Sequence, residues 1–198
     1  MYRIANCAVV MLILMMTGCS VKESLPEGVV HYTATVTKAG IGEIRKEIYL
    51  KNSKPYQEFG FYKDGKRFFE SYAGNLDTIA FTHTIAFYPS GELKSLETIE
   101  SDKNELISAY WYYPNGILQL RHNGESHIEE LWDESGAKQT EYFAPNSDIK
   151  KITNWYHNGQ KKEESELLNT QRNGKWFEWD SLGHQTRKEF YVNGKVKK

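Results

Sequence analysis

Two imidazoles, His122 and His127, lie five residues apart, with Glu129, Glu130 and Asp133 close behind them. Imidazole nitrogen and carboxylate oxygen are donors that zinc accepts in tetrahedral sites. The spacing fits no metal motif, and on one strand residues five apart point to opposite faces, so the expectation is that no metal is held. His31, His83, His157 and His184 are scattered; His157 stands where related stretches carry Lys63, Pro89, Pro114 and Val192, which reads as a tolerant turn position. Glu163, Glu164 and Glu166 supply carboxylates for acid–base work. A glycosidase needs two carboxyl groups at a defined separation in unequal environments, and nothing in this spacing selects a pair. A Gly-x-Ser-x-Gly elbow, a phosphate-binding loop and a dinucleotide fingerprint are all missing from the sequence. The expectation is therefore a chain without catalytic residues and without a cofactor.

The elements that would position these groups announce themselves as a repeated phrase. It occurs as Tyr62-Lys63-Asp64-Gly65, Tyr88-Pro89-Ser90-Gly91, Tyr113-Pro114-Asn115-Gly116, Tyr156-His157-Asn158-Gly159 and Tyr191-Val192-Asn193-Gly194. A variant with one more residue occurs as Trp132-Asp133-Glu134-Ser135-Gly136 and Trp179-Asp180-Ser181-Leu182-Gly183. Successive corner glycines from Gly65 to Gly183 are 20 to 26 residues apart, a period that signals a repeat array. Pro at the second position presets φ, Asp, Asn or Ser suits the third, and Gly accepts the left-handed conformation that closes a type I turn with a bulge. Each phrase predicts a hairpin corner, with its aromatic packed across the strand pair. Asn173-Gly174 reads as a corner of the same kind.

Between corners the sequence is strand-like and heavily charged. Leu93 and Leu96 are out of phase, which predicts a bulge. The run 161–166 has no apolar residue, so as a strand it would be solvated on both faces. Further upstream, residues 31–37 alternate and are β-branched, and 44–50 reads as a second strand with Ile44, Ile48 and Leu50 on one face, a helix being the alternative. Aromatics make up 14% of the chain, a skew toward strand formers. Phe59, Phe61, Phe68, Phe69, Tyr110, Trp111, Tyr112, Trp155, Trp176, Phe177 and Trp179 either form the thin core of a sheet or leave part of themselves as a surface for a protein or glycan. The 25 basic and 26 acidic residues are interspersed, which excludes the clustered basic footprint of a nucleic-acid binder.

At the N-terminus, Arg3 precedes an apolar run over 4–16 that is too short for a comfortable membrane span and reads as a signal peptide. Met16-Thr17-Gly18-Cys19 resembles the lipobox of bacterial lipoproteins. That resemblance implies cleavage before Cys19, lipid attachment through Cys19, and, with Ser20 following, delivery to the outer membrane, facing the periplasm or the cell surface. The chain has two cysteines, and Cys7 lies in the segment that would be removed, so no disulfide is expected in the mature protein. Several acyl chains would anchor it stably. The expected organisation is a signal peptide over 1–18, a lipidated tether over 19–28, an N-terminal β segment over 29–58 and a repeat array over 59–198.

The array carries a further resemblance. Aromatic-x-x-Asn-Gly followed by Lys or Gln and mixed charges is similar to the MORN-repeat-variant proteins of bacteria, some of which are labelled antitoxins. The best stretch is Asn173-Gly174-Lys175-Trp176-Phe177-Glu178-Trp179-Asp180-Ser181-Leu182-Gly183, continuing through Tyr191-Val192-Asn193-Gly194-Lys195; the resemblance runs from Phe59 to Lys195. It implies an all-β fold of tandem antiparallel hairpins in an elongated, twisted, largely single-layer sheet. The regular second Gly-x-Gly of the strict pattern is missing. The function expected is a non-catalytic, lipid-anchored binding or scaffolding module for a protein partner in the cell envelope, the alternatives being an immunity or antitoxin-like protein and an envelope hydrolase.

Overall fold

The computed structural model describes residues 27–38, 41–52, 54–76 and 79–197. Cys19 and the residues expected to form the signal peptide, the lipobox and most of the tether lie outside these residues. The described chain is all-β: β1 (Val29–Lys38), β2 (Gly42–Lys51), β3 (Lys54–Phe61), β4 (Arg67–Leu76) and β5 (Ile79–Phe87) come first. They are followed by β6 (Leu93–Glu100), β7 (Glu105–Tyr112), β8 (Leu118–Asn123), β9 (Ile128–Trp132) and β10 (Lys138–Phe143). The last group is β11 (Ile149–Trp155), β12 (Lys161–Leu168), β13 (Gln171–Trp179), β14 (Gln185–Val192) and β15 (Lys195–Val196). All fifteen pair antiparallel in chain order within one open sheet. At about 4.8 Å per strand, the sheet extends roughly 65 Å across the strands.

A single layer has no second layer to bury against. Ile44, Phe68, Ala109 and Tyr191 are the buried apolar residues among those described, and Ser95, Glu100, Glu130 and Ser165 the buried polar ones. Substantial contacts join only strands adjacent in sequence, so stability is a chain of nearest-neighbour interactions, as in other repeat arrays. The stretch 44–50 is a strand, and the helix alternative is not realised. The sheet is continuous through β3, which passes the 58/59 boundary.

Six corners share one hydrogen-bond pattern, opening at Tyr62, Tyr88, Tyr113, Asp133, Tyr156 and Asp180. In each, the first residue donates its N–H to the carbonyl four residues on, and the Gly three residues on donates back to the first residue's carbonyl, all at 2.8–3.0 Å. The six glycines have φ between 82° and 107°, where a Cβ is strained. The Trp132 and Trp179 phrases are thus not longer corners. Asp133 and Asp180 take the tyrosine's place, and the aromatic belongs to the position before it, where the other corners carry Phe61, Phe87, Tyr112 and Trp155.

Each of the six corners is followed by a register shift. The residue before the corner pairs with the second residue after the Gly, and the third is bulged, as in Phe61↔Arg67 and Phe87↔Leu93. The slip between Leu93 and Leu96 is one of these bulges. Two expected corners differ. Asn193 and Gly194 both have positive φ while Val192 pairs with Lys195, a two-residue turn whose twist matches the flanking strands. Asn173-Gly174 is no corner at all. It lies inside β13, where Gly174 pairs with Tyr191, and the chain has already turned at Asn169 and Thr170, both with positive φ. Asn-Gly suits a turn, and here the pair instead forms an irregularity within a strand: residues 173–175 lie in the register break opposite Glu166 of β12, Gly174 keeps a positive φ, and its pairing with Tyr191 carries β13 onward.

Candidate functional site

Along one edge the six corners are joined to one another. Each corner tyrosine donates its hydroxyl to the carbonyl of the aromatic preceding the next corner: Tyr62 to Phe87 at 3.2 Å, Tyr88 to Tyr112 at 2.7 Å, Tyr113 to Trp132 at 3.0 Å and Tyr156 to Trp179 at 2.9 Å. Beside these, Lys66 Nζ, Asn115 Nδ2 and Asn158 Nδ2 donate to the carbonyls of Pro89, Glu134 and Ser181 at 3.1, 2.9 and 2.7 Å. The corner tyrosines therefore clasp successive hairpins, rather than only packing across their own strand pair.

Where Asp133 replaces tyrosine, the clasp is inverted: its Oδ2 lies 3.1 Å from His157 Nδ1 of the next corner, so His157 is a linking residue and not merely a tolerated one. Asp133 Oδ1 also accepts the backbone N–H groups of Ser135 and Ala137 at 2.9 and 3.1 Å. The Ser135 hydroxyl, His157 and these amides hold its carboxyl well below the usual range.

One face carries a ribbon of cations, carboxylates and aromatics. Behind three corners the pattern Gly-x-cation-x-x-Glu recurs: Arg67 contacts Glu70, Lys138 lies 2.7 Å from Glu141, and Lys161 contacts Glu164. The same cations sit over rings, Arg67 at 4.7 Å from Phe59, Lys138 at 4.7 Å from Trp155 and Lys161 at 5.5 Å from Trp179. In the run 161–166 only Lys162 is exposed; Ser165 is buried and the other four residues are half-buried, so the strand is not solvated on both faces. Glu130 is the deepest carboxylate of the ribbon. Its Oε1 accepts from Lys138 at 2.7 Å and its Oε2 meets the Arg121 guanidinium. Burial pushes the Glu130 carboxyl up, but the hydrogen bonds and charges of Lys138 and Arg121 outweigh it and leave it below its ordinary value. Glu164 is held down in the same way, against burial, by Lys161 and Lys175. Tyr72, half-covered and donating to Glu70, is pushed up to about 12.

These pairings separate the candidate carboxylates. Glu164 is committed to two lysines, Glu163 points to the other face opposite Glu178, and Glu166 lies against Gly174, whose added Cβ would fall 2.1 Å from Glu166 Oε2. The histidine cluster divides too. Glu130 belongs to the ribbon and Asp133 to its corner. His127 is a turn residue with φ 56°, not a member of the His122 strand, and this turn brings both imidazoles to one open hollow of about 590 Å³ with Glu105, Glu129, Tyr142 and Lys150. His122 Nε2 lies 3.2 Å from the Leu106 carbonyl and Nδ1 3.7 Å from Glu129 Oε2. Among the described residues no three His, Cys, Asp or Glu side chains gather as a metal cluster.

The expected aromatic surface reduces to two residues. Of the eleven named in the sequence, Tyr110 and Trp111 are exposed, at 38% and 43%, and the others are buried or half-buried. Neighbours on β7, they point to opposite faces, and Trp111 is held by its indole N–H donating to Glu97 at 3.0 Å. The sequence carries no local signal for this selection, because it depends on which rings the adjacent strands cover. In comparisons with known proteins, no protein-family model matches the chain and no curated protein matches it significantly.

Proposed function

We propose that the protein is a lipid-anchored, non-catalytic binding module of the cell envelope, held in the outer membrane through Cys19 and presenting its hairpin sheet to a protein partner. The reading rests on Tyr110 and Trp111, which stand exposed on the two faces of a sheet that, among the described residues, no second layer covers. Aromatic side chains at the centre of a contact supply much of its binding energy, and those two lie near the middle of the fifteen-strand array. The lipobox supports the anchor, and the repeated corners support a relationship to MORN-repeat-variant proteins.

Two measurements test the proposal. With radiolabelled palmitate, the wild-type chain should be labelled and sediment with membranes, and Cys19→Ser should lose both properties; an unlabelled wild-type chain refutes the anchor. In a pull-down from detergent-solubilised envelope, a stoichiometric partner should be retained by wild type and lost from Tyr110→Ala/Trp111→Ala. Retention by that double variant refutes the assignment of the surface.

A further inference from the structure

The two ends of the sheet are finished differently. β15 has two residues, Lys195 and Val196, and the rest of the outer side of β14 carries Arg187, Lys188 and Glu189. Short strands and charged side chains are devices that prevent edge pairing. At the other end, β1 is ten residues long and pairs with β2 without interruption from Val29↔Lys51 to Lys38↔Gly42. It contains no Pro, no Gly and no bulge. Its lysine, Lys38, is at the last position and has its ammonium drawn inward, 4.8 Å over the Phe68 ring. Val30, Tyr32 and Val36 are exposed at 62%, 44% and 38%. Among the described residues no strand pairs with the outer row of backbone groups on β1, which is a template for another strand.

The side chains indicate which strand fits. Val30, Tyr32, Ala34 and Val36 share one face, and His31, Thr33, Thr35 and Thr37 the other. A two-fold axis normal to the sheet preserves faces, so it must pass through a residue rather than between two. Centred on Thr33, it sets Val30 opposite Val36 and Tyr32 opposite Ala34, each twice, making one apolar patch across the seam. On the other face Thr33 meets Thr33 and His31 meets Thr35, and no like charges are placed opposite each other. We infer that β1 is a dimerisation edge, at which a second copy of this chain pairs its own β1 antiparallel about Thr33 and continues the sheet to thirty strands.

The register supplies the test. Residues directly opposite in an antiparallel pair have Cα atoms about 4.5–5.5 Å apart, inside the disulfide range. In the protein extracted in detergent and mildly oxidised, Thr33→Cys should form a disulfide-linked dimer well above the background of wild type treated in the same way. Thr35→Cys should not, because the two copies of that residue are four positions out of register, about 13 Å apart at 3.3 Å per residue. Sedimentation should show wild type as a dimer and Val36→Lys as dissociating at least about tenfold more readily; residue 36 is exposed, so the fold tolerates the change. Monomeric wild type, no Thr33→Cys dimer above background, or equal crosslinking at Thr33 and Thr35 overturns the proposal. An edge covered instead by the chain's own residues 19–26 gives the second of these results.

Discussion

Removing the hydroxyls that join successive corners should loosen the array without disturbing any single hairpin. Tyr88→Phe, Tyr113→Phe and Tyr156→Phe each delete one donor to a part-buried carbonyl at 2.7, 3.0 and 2.9 Å and keep the ring. A hydrogen bond of this kind contributes about 0.5–1.5 kcal/mol net. Successive corners are two strands apart, about 9.6 Å, far enough that the losses should nearly add. The triple variant is then expected to lose about 3 kcal/mol. With urea m-values of about 1–3 kcal/mol per molar, its midpoint should fall by about 1–3 M in a tryptophan-fluorescence titration. Amide exchange localises the effect: for Tyr113→Phe, protection should drop first at Gly116 and Gly136, the two corners the bond connects. Tyr142→Phe, at an exposed ring, is the control and should change little. A triple variant within about 0.5 kcal/mol of wild type, or a Tyr142→Phe loss as large as that at Tyr113, would refute the view that these hydroxyls couple the repeats.

Other perturbations follow from single contacts. Gly174→Ala places a Cβ against Glu166 at a φ of 105° and should cost at least about 1–2 kcal/mol, whereas Gly74→Ala, with open space around it and no positive φ, should be neutral or stabilise by up to about 1 kcal/mol in the same titration. His157→Ala removes an exposed link to Asp133 and should cost less than about 1 kcal/mol; a larger loss would mean that the inverted clasp is stronger than its exposure allows. The depressed carboxyls Glu130 and Glu164 contribute stability that is present above the unfolded value, about 4.3, and is lost as the pH falls through their lower folded values. Urea midpoints should therefore hold from pH 7 to 5 and drop below about 4.3, and Glu130→Gln/Glu164→Gln should flatten that acid limb; an unchanged slope would show that these two groups do not carry it.

The repeat period, the six glycines at φ > 0 and the all-β class were legible in the sequence because each rests on local chemistry. Only a small set of residues turns a chain in four positions, and a period of 20 to 26 residues leaves room for two strands and little else. Even the slip at Leu93 could be read, since alternation is a property of one strand. What the sequence left open depends on neighbouring strands and hairpins. Whether Asn173-Gly174 makes a corner or a bulge is decided by the strands beside it, where Gly174 pairs with Tyr191 of β14 and the β12 register breaks opposite Glu166. Whether Asp133 is a ligand, an acid or a cap is decided by the approach of His157, 24 residues on. Lys161 and Glu164 look solvated in a run without apolar residues, yet the strand after them lays Trp179 under the lysine. Sequence alone thus determined the unit, because turn formation is local; only the stacked sheet decided how units are joined and which rings stay bare, because those outcomes belong to pairs of units and not to any one of them.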